Sequence, residues 1–317
     1  MREIGGFIEI GESKGTEYHE NAIALNCGRS CLEYLIKSKN IKKLYIPYFL
    51  CASARNLCKK CGCDFELYSI DSNFKPIMSS PPKSDELVVV INYYGQLNDE
   101  YLVTLWNQFG NIVIDNTHAF FRKPLKGIDT FYSCRKFFGV PDGAYLYTNS
   151  KYTDQIEIDV SYDRMKFLLG RFELGPQEFY EDYVKNNGRF SKEDMKFMSK
   201  LTHNFLKNED YEYVRIRRTK NFEYLHQRLF DLNKLILNVP DGPFMYPLLV
   251  DNGKYVKKKL IESKIFVPTL WPATFDVADE NSVEWNFAEN IVPLPIDQRY
   301  EIDDMKYMLE VLENVLS

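Results

Sequence analysis

Apolar positions in this chain recur with two different periods. In the first half, four short runs are almost continuously apolar: residues 43–46, closed by Pro47; residues 65–70; residues 86–92, which read ELVVVIN; and residues 111–115. Runs of this kind predict strands buried on both faces, as in a parallel sheet. Residues 144–148 predict a further strand. Between the runs the spacing turns helical. Residues 30–39 carry Leu32, Leu35 and Ile36, residues 52–60 come after Pro47, and Asp99–Phe109 carries Leu102, Leu105 and Trp106. Strand and helix in alternation predict an α/β fold with right-handed crossovers.

From residue 152 to 218 the strand signal fades, and charged and aromatic residues dominate. A long helix is expected over 213–229, a strand over 245–250, a helix over 254–263, a strand over 264–267, and an amphipathic helix over Ile302–Leu316. This second half reads as a smaller α+β unit. No internal repeat or low-complexity segment is visible.

Composition narrows the function classes. The 317 residues exceed one typical domain. The net charge is -5, and the longest basic run is 257–259, so nucleic acid is not the expected partner. No stretch of 18 apolar residues exists, so no membrane span is expected. The start, Met1-Arg2-Glu3-Ile4-Gly5-Gly6, lacks the apolar core of a signal peptide, and the protein is expected in the cytoplasm. Seven cysteines in such a chain are expected as thiols. Cys58, Cys61 and Cys63 include one CxxC spacing, which can start a zinc site. No second CxxC or HxxxH supplies the remaining ligands, so no metal is expected. Instead the cluster reads as a helix end, with Gly62 serving the turn into the next strand.

Three segments could carry chemistry. In Leu25-Asn26-Cys27-Gly28-Arg29-Ser30, a Gly precedes an amphipathic helix, where free N–H groups and the positive helix end can hold a phosphate. Alone, it reads first as an ordinary Gly-containing turn before a helix. In Ile112-Val113-Ile114-Asp115-Asn116-Thr117-His118, an Asp ends a buried strand, on the edge where open parallel sheets bind ligands. A carboxylate there needs a cationic partner, or it N-caps the next helix. In the run from Thr130 to Ala144, Lys136 sits among aromatic residues beside Arg135. Desolvation and a neighbouring cation both lower an amine's pKa and make it nucleophilic. Gly139, Pro141 and Gly143 then imply a tight loop.

Taken in this order, the Gly turn, the strand-end Asp and the Ser-x-Arg-Lys loop before Gly-Val-Pro-Asp-Gly resemble the DegT/DnrJ/EryC1/StrS sugar aminotransferases. Tyr45-Ile46-Pro47-Tyr48-Phe49-Leu50-Cys51, Asn92-Tyr93-Tyr94-Gly95-Gln96, Leu270-Trp271-Pro272 and Val292-Pro293-Leu294-Pro295-Ile296 are similar to further stretches of that family. The resemblance covers residues 20–150 well and 245–317 more loosely.

It implies fold type I of the pyridoxal 5'-phosphate (PLP) enzymes: a mostly parallel mixed sheet flanked by helices over residues 1–215, and a smaller α+β domain over 216–317. It implies that Lys136 carries PLP as a Schiff base and moves the proton, and that Asp115 pairs with the ring nitrogen. His118 would stand near the ring's phenolic oxygen. Gly28, Arg29 and Ser133 would stand in the phosphate cup, and Phe49, or else Tyr48, against the ring. The implied reaction moves an amino group from an amino acid, glutamate by family analogy, through the PMP form of the cofactor to a keto-sugar on a nucleotide. A homodimer is implied as well.

Departures from the family pattern are Arg29 in place of a small hydroxyl residue, Gly143-Ala144 in place of Gly-Gly, and a Ser placed closer to the lysine. Family members that act as dehydratases carry His in place of the lysine, so Lys136 favours transamination. The rival readings are a lyase on the same core and a non-catalytic nucleotide-sugar binder.

Overall fold

A computed structural model describes residues 4–316; residues 1–3, part of the start read above for a signal peptide, lie outside it. The expected strands form, and others join them. β1 (Ile23–Leu25), β2 (Lys43–Pro47), β3 (Asp64–Ile70), β4 (Pro76–Ile77), β5 (Glu86–Ile91), β6 (Ile112–Asp115), β7 (Asp129–Ser133) and β8 (Ala144–Tyr147) build one sheet. Its order is β1-β8-β7-β6-β5-β2-β3-β4. β3, β2, β5, β6 and β7 run parallel to one another. Every residue of β5, β6 and β7 is buried, which is why these strands need no polar alternation.

The helices α1 (Gly28–Ser38), α2 (Ala52–Cys61) and α3 (Asp99–Phe109) connect the strands close to where the spacing predicts them. α1 buries Cys31, Leu32, Leu35 and Ile36. α2 ends at Gly62, whose φ of +62° closes the helix as the sequence implied. Asn98 caps α3 by accepting from the Tyr101 N–H at 2.8 Å.

Beyond the sheet lie α4 (Lys166–Leu174), α5 (Tyr180–Arg189), α6 (Lys200–Leu206) and the long α7 (Tyr211–Leu229). A two-stranded antiparallel sheet comes next, β9 (Tyr246–Leu249) with β10 (Ile291–Leu294). It packs with α8 (Gly253–Glu262), α9 (Val283–Asn290) and α10 (Ile302–Leu316). Among the described residues, no helix is long and apolar enough to cross a membrane.

One expected strand does not form. Residues 264–267 join no ladder. Lys264 takes φ +63°, and the Ile265 N–H returns 2.8 Å to the Leu260 carbonyl, closing α8. The apolar run is spent on burying Ile265 and Val267 at that helix end. β9 instead pairs with β10, where Pro247 faces Pro293. Four strands were not expected: β1, β4 and β10 are short, and β7 is rich in polar residues.

The strand directions decide where chemistry can occur. β2, β5, β6 and β7 all end on one edge. β1 is antiparallel to β8, which is antiparallel to β7, so β1 ends there too. That edge therefore gathers Asn26–Gly28, Tyr48–Cys51, Asn92–Tyr94, Asp115–His118 and Ser133–Lys136. Chain order reverses between β2 and β5, the place where open α/β sheets leave a crevice.

The Gly-Val-Pro-Asp-Gly loop is locked from below. Gly143 adopts φ +118°, its N–H bonds the Asn26 carbonyl at 2.6 Å, and a Cβ there would lie 3.1 Å from Thr202 and 3.2 Å from Cys134. Asp142 is fully buried and accepts from the Ser199 N–H and hydroxyl, each at 2.8 Å, and from the Thr202 hydroxyl. Asp142→Ala leaves these donors without a partner, and a loss of about 3 kcal/mol in urea unfolding is expected.

Candidate active site

Lys136 comes after β7 in a single turn of 3-10 helix, Cys134–Lys136. Its Nζ donates to the Thr117 hydroxyl at 3.0 Å. The Thr117 N–H in turn bonds Asp115 Oδ1 at 2.9 Å, so the carboxylate holds the turn after β6. Asp115 and Lys136 make no ion pair within 4.0 Å. They face each other across Thr117, and each is the strongest charge acting on the other.

Asp115 is buried and Lys136 is half-buried. Burial pushes the Asp115 carboxyl above its ordinary value, against the pull of Lys136 and the Thr117 hydrogen bonds. Burial pushes the Lys136 amine below its ordinary value, opposed by Asp115 and Cys51 and assisted by Arg135. The Asp115 carboxyl is thus a weaker acid than usual and the Lys136 ammonium a stronger one.

His118 completes the group. It is 1% exposed. Its Nδ1 accepts from the Tyr94 N–H at 3.3 Å, which places the ring hydrogen on Nε2. That Nε2 is buried with no partner among the described residues. Burial, then the nearby Lys136 charge, hold its pKa well below the ordinary value. His118 is thus a neutral ring whose Nε2–H meets no acceptor among the described residues.

Aromatic rings pack around His118 and Lys136. Phe244 packs 4.4 Å from the His118 ring, with Lys136 Nζ 5.5 Å from its centre. Trp271 stacks on His118 at 5.3 Å with an interplanar angle of 17°. Trp271 (φ +55°) and Tyr94 (φ +52°) both take left-handed backbone, which aromatic residues adopt only at a cost of order 1–3 kcal/mol. Their strain is concentrated around His118.

Of the other residues singled out from the sequence, Gly28 begins α1 beside Thr117, whose Cγ2 would lie 3.7 Å from a Cβ there. Ser133 is buried at the end of β7. Arg29 donates to the Asn187 carbonyl at 3.1 Å. Phe49 is fully buried among Tyr93, Trp271 and Phe287, with its ring edge-on to Trp271 at 4.6 Å. Its contacts are with the core and the back of the aromatic wall, whereas Phe244 and Trp271 are the rings against His118.

Sequence reasoning missed Thr117, Phe244 and the part played by Arg135. Thr117 lies within a quoted motif, two residues after the Asp, an Asx-turn spacing that could have flagged it. Phe244 carries no signal, because its place beside Lys136 depends on packing across more than a hundred residues. Arg135 donates to the Asn187 side chain, and its guanidinium lies 4.6 Å from the Phe190 ring, with Arg29 at 5.8 Å from the same ring. Among the described residues, neither arginine pairs with a carboxylate within 4.0 Å. Both guanidiniums are met instead by Asn187 and the Phe190 ring.

No family model and no curated protein matches the sequence. Solved structures do match in three dimensions. S. venezuelae DesV, in complex with a ketimine intermediate, superposes with a TM-score of 0.64 at 14% identity, covering 92% of this chain and 84% of that one. A DegT DnrJ EryC1 StrS aminotransferase from Brucella abortus gives 0.63 at 12% identity, covering 92% and 85%. E. coli GDP-4-keto-6-deoxy-D-mannose-3-dehydratase with bound hydrated PLP gives 0.62 at 14% identity, covering 92% and 87%. The chain therefore has the α/β fold of the DegT/DnrJ/EryC1/StrS aminotransferases, fold type I of the PLP-dependent enzymes, as its motifs implied.

Because His118 is held neutral by burial, its ring should show no protonation between about pH 5 and pH 8. Two-dimensional NMR of the imidazole nitrogens across that range checks this. A titration near the ordinary histidine value would contradict the buried-donor assignment.

Proposed function

We propose that this protein is a PLP-dependent aminotransferase that moves an amino group from an amino acid, glutamate by resemblance, to a nucleotide-linked keto-sugar. One observation carries the reading: a half-buried amine and a buried carboxylate meet on the one Thr117 turn, beside a buried histidine whose Nε2 has no partner among the described residues. The neighbouring structures supply the context, since one contains a ketimine and another bound hydrated PLP. Cytoplasmic location, a homodimer and a division into lobes at residues 215/216 belong to the same proposal.

The residues present fit the cofactor. Asp115 offers a carboxylate for a protonated ring nitrogen, and the His118 Nε2–H offers a donor for the ring's phenolic oxygen. Gly28, Arg29 and Ser133 offer the phosphate a helix N-terminus, a guanidinium and a hydroxyl, with Arg135 as a second guanidinium. Phe244 and Trp271, rather than Phe49, offer flat apolar walls. When bound, pyridoxal phosphate supplies a carbonyl carbon that exchanges between amines and a ring that withdraws electrons.

The chain's own groups do the rest. With the cofactor bound, the Lys136 amine, its pKa below that of an ordinary lysine, would condense with the carbonyl with loss of water and would later carry the proton removed from the donor's α-carbon. Thr117 holds that amine while it is idle. Asp115 keeps its charge when a cation stands against it, since an opposite charge restores what burial removes. The aromatic wall excludes water that would otherwise compete for the reacting carbonyl.

Incubation with PLP, borohydride reduction and peptide mass mapping should put the adduct on the peptide containing Lys136, and Lys136→Ala should remove both adduct and amino transfer from glutamate. An adduct that survives in Lys136→Ala, on another residue, contradicts the assignment.

Arg135→Gln should weaken PLP binding by about 10- to 100-fold, the value of one charge-assisted hydrogen bond, while leaving affinity for unphosphorylated pyridoxal unchanged. Fluorescence titration of the unloaded protein with both compounds measures the ratio.

A further inference from the structure

Arg218, on α7, is 2% exposed and is the largest of the fully buried side chains. A buried guanidinium normally pairs with a carboxylate. Among the described residues, this one makes no such pair within 4.0 Å. Its Nε donates to Gln298 Oε1 at 2.9 Å, and its Nη1 to the carbonyls of Pro243 at 3.1 Å and Phe244 at 3.2 Å. Its Nη2 reaches the Phe137 carbonyl at 3.4 Å, and the guanidinium lies 4.5 Å from the Phe137 ring. Gln298 adds a second donor to that carbonyl at 2.6 Å. The next residue on α7, Thr219, accepts the Gly242 N–H at 2.9 Å and so pins the same turn.

The two backbone segments held in this way are particular ones. Phe137 is the residue directly after Lys136. Phe244 carries the ring that packs against both Lys136 and His118. One guanidinium therefore ties the reactive amine's own backbone to the plate that keeps water from it. A cation suits this place because the four groups it meets are all neutral acceptors, and charge strengthens each bond. Burial lowers its pKa to about 10, which leaves it charged at neutral pH.

We propose that Arg218 is a positioning residue for Lys136: with Gln298, it fixes the 137 and 244 backbones so that the amine stays desolvated beside Asp115. The inference deepens the aminotransferase reading and rests on Lys136 as its reactive amine. The groups facing Lys136 are Asp115 after β6, Cys51 before α2, its neighbour Arg135, the Thr117 hydroxyl and the neutral His118. Arg218 touches none of the reacting groups, so its effect must pass through geometry.

The test uses the full chain and needs no cofactor. Trace acylation with acetic anhydride across pH, read at Lys136 by mass spectrometry, gives the midpoint at which the amine becomes reactive. In the unmodified protein the midpoint should lie below that of exposed lysines such as Lys258. In Arg218→Met and in Gln298→Leu the loop relaxes, water reaches the amine, and the midpoint should rise by about one pH unit. Arg218→Lys, which keeps a charge but not the fork, should fall between. The Gln298 variant decides the matter if Arg218→Met does not fold. Folded variants whose Lys136 midpoint equals that of the unmodified protein overturn the inference. Reduction with PLP is run alongside: a shifted midpoint with no Lys136 adduct in the unmodified protein upholds the positioning role and rejects the aminotransferase reading.

Discussion

The structure turns on holding a buried carboxyl and a half-buried amine at one sheet edge without a direct ion pair between them. Asp115 and Lys136 end adjacent parallel strands, or nearly so, and the Thr117 turn stands between them. Direct contact would leave a simple buried ion pair, which does no chemistry and contributes little stability. Separation leaves each group with a shifted pKa and an unmet need. The buried strands β5, β6 and β7 supply the rigid platform that makes such separation sustainable.

Around that pair the protein spends strain rather than flexibility. Tyr94 and Trp271 hold left-handed backbone, and both bear on His118, one through an N–H and the other through its ring. The orphaned His118 Nε2 belongs with them. A buried donor left without an acceptor costs about 1–3 kcal/mol. Pre-organisation of this kind is what a site for a flat, polar-edged ring requires.

The arginines divide by how their charge is met. Arg164 pairs with Asp159 at 2.9 Å and knits the 159–164 segment to α5 through Asn186. Arg218 is satisfied by carbonyls and an amide, and acts as a brace. Arg29 and Arg135 meet Asn187 and the Phe190 ring, and they stand beside the first turn of α1.

By itself the sequence determined the continuous apolar strands, the amphipathic helices between them and the strand-end position of Asp115, because these depend on local periodicity and burial. It also marked Lys136 and His118, whose neighbours in sequence resemble a known pattern. It misjudged residues 264–267, since an apolar run of four can close a helix as readily as extend a strand. What only the tertiary structure decided was company: Phe244 and Trp271 against His118, Arg135 with Arg29, and Arg218 behind Lys136. Those contacts join residues far apart in the chain. No periodicity encodes them, because packing and hydrogen-bond satisfaction are settled only once the sheet edge has brought the segments together.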